Sequence, residues 1–238
     1  MIFTLLTCGA VTHSCDICTH GGGNQDPHFL GFDGSEYYFD GVAGKEYNII
    51  SDVDLQLNAH FIRLNNLKGT YMGRLGFLFG EHSLSFDPHF GVFFNGSLIT
   101  SGEVELDAGS FLVDDVDGRP RMVFQNDVYH ITAVVAVEKG DKEESYINVR
   151  TSLYGVPTRP HGILGQTARI AIPGADPLPR PFAVEGGEDD YLVQDGLLGT
   201  DFTFNRFVGH VEHIVTASGS RFRRSLGAPI IDQVAGLF

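Results

Sequence analysis

A chain of 238 residues has room for one large β domain or two small ones, and 42% hydrophobic residues are enough for a packed core. A formal net charge of −14 argues against nucleic-acid and anionic-membrane partners, because phosphate contacts need clustered Lys and Arg. It is compatible with binding cations, though acidity also serves simply to keep a domain soluble. No apolar run approaches the roughly 18 residues that a membrane-spanning helix needs.

Met1 to Val11 form a short apolar run before a polar stretch, which reads as an atypical or truncated secretion signal lacking a basic leader. The only cysteines are Cys8, Cys15 and Cys18. The CxxC spacing of Cys15 and Cys18 suits a small disulfide, half a zinc site or a redox pair. No second CxxC completes a zinc site and no βαβ pattern surrounds this one, so a local disulfide is expected. Gly21 to Gln25 read as a linker, which sets the expected organisation: an N-terminal tail over 1–25, a β domain over 26–212 and a C-terminal extension over 213–238.

From Asp26 to Ile62 the pattern is that of strands. Phe32-Asp33-Gly34 and Phe39-Asp40-Gly41 are turn signals, since glycine accepts positive φ and aspartate bonds its own backbone. Tyr47, Ile49 and Ile50, then Leu55, Leu57, Ala59 and Phe61, fit a strand and not a 3.6-residue period. Asn65 to Tyr71 reads as a loop. Strands follow over Gly73–Gly80, Ser83–Phe86, Phe90–Phe94 and Ser97–Ile99, with Asn95-Gly96 as a tight hairpin turn. Val104–Leu106, Ser110–Val113, Met122–Phe124, Val128–Val137 and Ser145–Leu153 continue the series, with Asp114–Gly118 and Glu138–Glu144 as acidic hairpin loops. Beyond Pro157 the prolines at 157, 160, 173, 177, 179 and 181 interrupt any strand. Phe182–Val184 and Tyr191–Val193 bracket an acidic turn, Glu185–Asp190. Phe202–Phe207 is either a strand or a short helix, and the tail from Arg221 to Phe238 is expected to lie outside the core. The whole predicts one all-β antiparallel domain.

Catalytic signatures are missing. The ten histidines show no HxH or HExxH spacing, and there is no GxSxG elbow, phosphate-binding loop or dinucleotide fingerprint. His28, His60 and His130 are expected to be structural, as is His161 beside Gly162. A glycosidase-like carboxylate pair stays open as an alternative. Asn95-Gly96-Ser97 is a glycosylation sequon on a turn, so Asn95 is a candidate acceptor.

Asp26-Pro27-His28-Phe29, Phe32-Asp33-Gly34 and Tyr37-Tyr38-Phe39 resemble the opening of von Willebrand factor type D domains. Gly162-Ile163-Leu164-Gly165-Gln166 is similar to that family's GLCGN element, and Glu188 to Gly196 to its acidic stretch. Leu57–Ile62, Gly162–Thr167 and Thr200–Phe207 resemble the plant root cap and late-embryogenesis-related proteins. The resemblance runs in one order from Asp26 to Gly209. It implies a type D-like β-sandwich, secreted and without catalysis. It also implies a calcium ion tying the FDG turn to the acidic loop, with Asp33, Gln166, Asp189 and Asp190 as ligands. Calcium takes six to eight oxygens, and Gln166 offers a carbonyl where the family has asparagine. The family's core cysteines are missing, which argues against disulfide-linked multimers. The expected function is an extracellular, non-enzymatic module that binds a protein or glycan of the matrix, wall or mucilage. The alternatives are a carbohydrate-active hydrolase and a structural desiccation-related protein.

Overall fold

The computed structural model describes residues 20–24, 28–65, 67–138, 141–176, 184–209, 211–215 and 221–225. All three cysteines, the apolar run at Met1–Val11, the Asp26-Pro27 pair, the prolines at 177, 179 and 181, the Phe182-Ala183 pair and the last thirteen residues lie outside the described residues.

The strands are β1 (His20–Asn24), β2 (His28–Leu30), β3 (Glu36–Tyr38), β4 (Glu46–Ser51), β5 (Leu55–Ile62), β6 (Tyr71–Phe79), β7 (His82–Asp87), β8 (Gly91–Phe94) and β9 (Ser97–Ile99). They continue with β10 (Gly102–Leu106), β11 (Gly109–Val116), β12 (Arg119–Gln125), β13 (Tyr129–Glu138), β14 (Asp141–Leu153), β15 (Leu192–Val193), β16 (Val211–Val215) and β17 (Arg221–Ser225). Two antiparallel sheets hold most of them. One has eight strands in the order β10-β11-β12-β13-β14-β1-β2-β3, and the other seven in the order β15-β4-β5-β6-β7-β8-β9. The domain is therefore an all-β sandwich. Among the described residues no helix is long and apolar enough to cross a membrane.

The alternation seen in the sequence sets the register. In β5, Leu55, Leu57, Ala59 and Phe61 are all buried, and they pair across to Phe79, Phe77, Leu75 and Met72 of β6. From the facing sheet come Phe111, Met122, Phe124, Ile131 and Val149, all buried. The two layers meet through ring contacts: Phe79 on Phe124 and Phe94 on Phe111, each with centroids 4.9 Å apart. Burying side chains of this size stabilises by about 1.5–3 kcal/mol each, and edge or tilted ring pairs add to it.

Several expectations are corrected. Gly21–Gly23 are not a linker but the middle of β1, paired with β14 on one side and β2 on the other. Space requires glycine at 22, where a Cβ would lie 2.7 Å from the Val149 carbonyl oxygen, and leaves little room at 23, where one would lie 3.0 Å from the Met72 methyl. The sheet thus begins ahead of Asp26. The acidic loop at Glu138–Glu144 is shorter than expected, since β13 and β14 extend into it, and Glu144 is buried against Asn65. The loop at Asp114–Gly118 contracts likewise to a turn at Asp117-Gly118. Phe202–Phe207 is neither strand nor helix; it is irregular chain held by local bonds, with Phe202 and Phe207 buried. Part of the tail, Arg221–Ser225, pairs with Val211–Val215 as a separate two-stranded ribbon.

The described part of the proline-rich stretch expected to be loop, 157–176, is irregular apart from a bridge at His161 and a 3-10 turn over Gly165–Ala171, and with the irregular chain at 195–208 it forms a third layer. Gly76 of β6 shows why it packs so closely: a Cβ there would meet the Leu197 carbonyl oxygen at 2.5 Å. Beneath that layer the outward-facing amides of β4 and β5 are fully buried. Gln56 Nε2 donates to Gly199 O (2.6 Å), Asn58 Nδ2 to Leu197 O and Gly199 O, and Asn48 Nδ2 to Asn58 Oδ1 (2.9 Å). These side chains stand in for the ladder bonds that an irregular segment lacks.

The entry to this layer is pinned by Asp52, which is 4% exposed. Its Oδ1 accepts the backbone N–H of Val53 (2.8 Å) and Arg159 (2.7 Å). Its Oδ2 accepts the Thr158 N–H (3.1 Å) and the Tyr129 hydroxyl (2.9 Å). Burial first, then the neighbouring Asp52 carboxylate, holds the Tyr129 phenol well above its ordinary range.

Candidate functional site

The segments that carry the motifs meet at one end of the seven-stranded sheet. His161 pairs with Ser51 through two backbone bonds of 2.8 Å each, which lays Gly162–Gln166 along β4. Gly162 takes φ +101° there, and a Cβ would lie 2.5 Å from Asn48 Oδ1 and 2.6 Å from the Ile49 carbonyl oxygen. A tight 3-10 turn over Gly165–Ala171 follows, burying Gln166, Thr167 and Ala168.

Two bonds tie the FDG turn to this segment. Phe32 N–H donates to Thr167 Oγ1 (2.9 Å), and the Tyr37 hydroxyl donates to the Ile163 carbonyl (2.7 Å). Burial, with a smaller contribution from Asp33, raises the Tyr37 pKa well above that of a free phenol. Gln166 links the same segment to the acidic loop. Its Nε2 donates to Gly162 O (3.0 Å), Ile163 O (3.2 Å) and the Tyr191 hydroxyl (3.1 Å), and its Oε1 accepts the Glu185 N–H (2.7 Å). The Tyr191 hydroxyl in turn donates to the Glu185 carbonyl. Tyr47 closes the far side, donating to Glu188 Oε1 (2.8 Å), and burial with that bond pushes its pKa up to about 12.

His161 lies at the centre and is 1% exposed. Its ring stacks on Phe204 with centroids 4.1 Å apart and an interplanar angle of 21°. Nδ1 accepts the Gly162 N–H (2.8 Å), so the neutral ring carries its proton on Nε2. Nε2 faces Glu185 Oε2 at 3.4 Å without hydrogen-bond alignment, and the same carboxylate oxygen takes Arg169 at 3.1 Å. Burial lowers the His161 pKa to about 4, which outweighs the opposing pull of Glu185. The imidazole is a wedge between aromatic rings and its acceptor nitrogen is already engaged, so it is poorly placed for proton transfer to a substrate.

The four expected calcium ligands fall on these same segments, but they are spent differently. Asp33 Oδ1 accepts the Ser35 N–H (2.9 Å) and hydroxyl, shaping its own turn. Asp190 Oδ2 accepts the Gly187 N–H (2.8 Å), Asp189 is exposed, and Gln166 is wholly enclosed in the bonds above. Among the described residues the second oxygens of Asp33 and Asp190 accept no hydrogen bond. Among the described residues no three His, Cys, Asp or Glu side chains gather as a metal-holding group. The fold thus joins the three motif segments without drawing their carboxylates together into a ready site.

The candidate acceptor Asn95 sits on the β8–β9 hairpin at φ +47°. Its Oδ1 accepts the Ser83 N–H (2.9 Å) and its Nδ2 lies 3.2 Å from His82 Nδ1, so the side chain clamps the neighbouring turn. His28 is half-buried, tilted against Tyr38 and 3.5 Å from Glu36; His60 lies 3.0 Å from Glu46; His130 stacks on Tyr154. Sequence reasoning missed Asp52, Arg169 and the role of Glu185. Asp52 in Ser51-Asp52-Val53-Asp54 reads as an ordinary hairpin residue, and only the long-range return of 158–159 gives it work.

No protein-family model matches the chain and no curated protein matches it, so the resemblance to type D and root cap proteins rests on the quoted motifs.

Proposed function

We propose that this chain is a non-catalytic, secreted β-sandwich module of the type D-like, root cap-related kind that acts by binding or structural association outside the cell. The observation that carries this reading is the fate of the polar groups where the three motifs meet. Gln166, Tyr37 and Tyr191 bond to one another or to backbone, the Glu185 carboxylate pairs with Arg169, and His161 Nδ1 is taken by the Gly162 N–H, so His161 and Glu185 are not aligned as an acid–base pair. Such an arrangement fits a scaffold better than a reaction centre.

Calcium belongs to the proposal as a stabilising ion. Asp33, Asp189 and Asp190 would supply their uncommitted oxygens, and Gln166 the second lone pair of Oε1, whose first accepts the Glu185 N–H. The test is thermal unfolding of the full chain with calcium and with excess chelator, on wild type and Asp189→Ala. A ligand that binds only the native state stabilises by about 2.7 kcal/mol at a hundredfold excess over its Kd. A rise in midpoint with calcium that Asp189→Ala removes supports the ion; equal midpoints throughout remove calcium from the reading. Turnover of a wall glycan, abolished by a single carboxylate substitution, would overturn the non-catalytic assignment itself.

A further inference from the structure

The coil layer covers part of the outer face of the seven-stranded sheet, whereas the outer face of the eight-stranded sheet presents rings to solvent. Tyr38 on β3 is 72% exposed and leans against His28 in a tilted ring pair, with centroids 5.1 Å apart at 30°. Tyr154, just beyond β14, is 44% exposed and stacks on His130, at 5.5 Å and 26°. Each tyrosine is thus backed by a half-buried imidazole that limits its rotation. The register places both on one face: Tyr38 pairs with His28 and then Asn24, and the Gly23–Val149 pair sets Asn24 level with Asn148, six residues before Tyr154. Six residues along and three strands across amount to about 25 Å.

Between the two stacks the floor is low and mixed, with Leu30, 39% exposed, beside Gly22. Arg150 is exposed and pairs across to Gly22, which has no side chain, and to Thr132. Arg150 has no ion-pair partner among the described residues, so its planar donors are available to hydroxyl groups. A ligand for this face must span two rings about 25 Å apart, present flat apolar patches to them and offer hydroxyls to the donors between. The net charge of −14 turns away polyanions. An extended, uncharged β-linked glucan has this chemistry, since its sugar rings carry C–H faces and hydroxyl edges along a flat ribbon.

We infer that the outer face of the eight-stranded sheet binds an uncharged β-linked glucan, with Tyr38 and Tyr154 as stacking platforms and Arg150 as a donor between them. This rests on the reading of the chain as an extracellular binding module, and names the class of its ligand. Two rings engaged by one polymer act as linked sites, so the polymer binds far more tightly than a disaccharide.

The experiment is native affinity electrophoresis of the full chain in soluble mixed-linkage β-glucan, with pull-down on microcrystalline cellulose and polygalacturonate as the anionic control. Wild type is expected to bind at least one of the two neutral glucans and not polygalacturonate. Tyr38→Ala or Tyr154→Ala should each raise the Kd at least tenfold, the double variant should abolish binding, and the Tyr→Phe variants should keep it. Circular dichroism confirms that each variant is folded. Failure to bind either neutral glucan, or unchanged binding by the double alanine variant, overturns the platform. Release of reducing ends from the glucan would instead overturn the non-catalytic reading, while leaving the binding face intact.

Discussion

Replacing Asp52 offers the sharpest test of how this domain holds its coil layer in place. The carboxylate accepts four hydrogen bonds at 4% exposure, two of them from Thr158 and Arg159, more than a hundred residues away. A hydrogen bond to a charged group contributes about 1.5–3 kcal/mol, and each buried donor left without a partner costs about 1–3 kcal/mol. Val53 N–H sits near the surface and can turn to water; the Tyr129 hydroxyl, in a residue 2% exposed, has no such recourse. Asp52→Ala should therefore cost about 4 kcal/mol, and Tyr129→Phe alone about 2 kcal/mol. The decisive quantity is the coupling: with Asp52 already gone, losing the hydroxyl should cost nearly nothing, giving an interaction energy of about 2 kcal/mol. Urea unfolding of the four proteins measures it, with Asp52→Asn as a milder variant if alanine prevents folding. Strictly additive effects would mean that the Tyr129–Asp52 bond contributes no stability and that the carboxylate acts through the backbone bonds alone.

Two glycines separate strain from space. Gly34 takes φ +76° with nothing within 4 Å of a Cβ, so Gly34→Ala should cost about 1 kcal/mol. Gly162→Ala adds contacts of 2.5 and 2.6 Å to a similar strain and should cost more than 3 kcal/mol, both read from denaturant midpoints. For His161, the native pKa of about 4 lies below the unfolded value of about 6.5. Between those values the unfolded chain binds a proton that the native state refuses, so stability falls as pH drops from about 6.5 to about 4 and then levels. The loss is about 3 kcal/mol at most, and His161→Gln should flatten that part of the curve in urea titrations at pH 7, 6 and 5.

Much of the sandwich was legible because side-chain alternation reports a half-buried strand directly. Leu55 to Phe61 face inward as read, and Asn95-Gly96, at φ +47° and +81°, is a turn with both residues left-handed, as the pair predicts. The same logic failed where the outer face is not wet. Gln56 and Asn58 alternate correctly, yet they are buried beneath a coil whose own sequence shows no period. Gly21–Gly23 failed for the opposite reason, because a strand without side chains has no alternation to read. The meeting of the FDG, GILGQT and EGGEDD segments was implied by the resemblance to type D domains, but the partners inside it were not. That Gln166 would bind Glu185 N–H, and that His161 would face Glu185, depends on packing a few ångströms deep.

The position of β1 has a consequence for synthesis. Gly22 lies between Arg150 and Leu30, so the strand that joins β14 to β2 is the earliest of the described strands and its main partner arrives well over a hundred residues later. At roughly 5–20 residues per second, this strand waits on the order of ten seconds beside a ribosome with one ladder of backbone groups unpaired. An apolar strand in that situation would recruit neighbours. A run of His-Gly-Gly-Gly-Asn lacks the β-branched and aromatic content from which cross-β assembly starts. The composition that hides β1 from pattern reading also keeps it inert until β14 arrives.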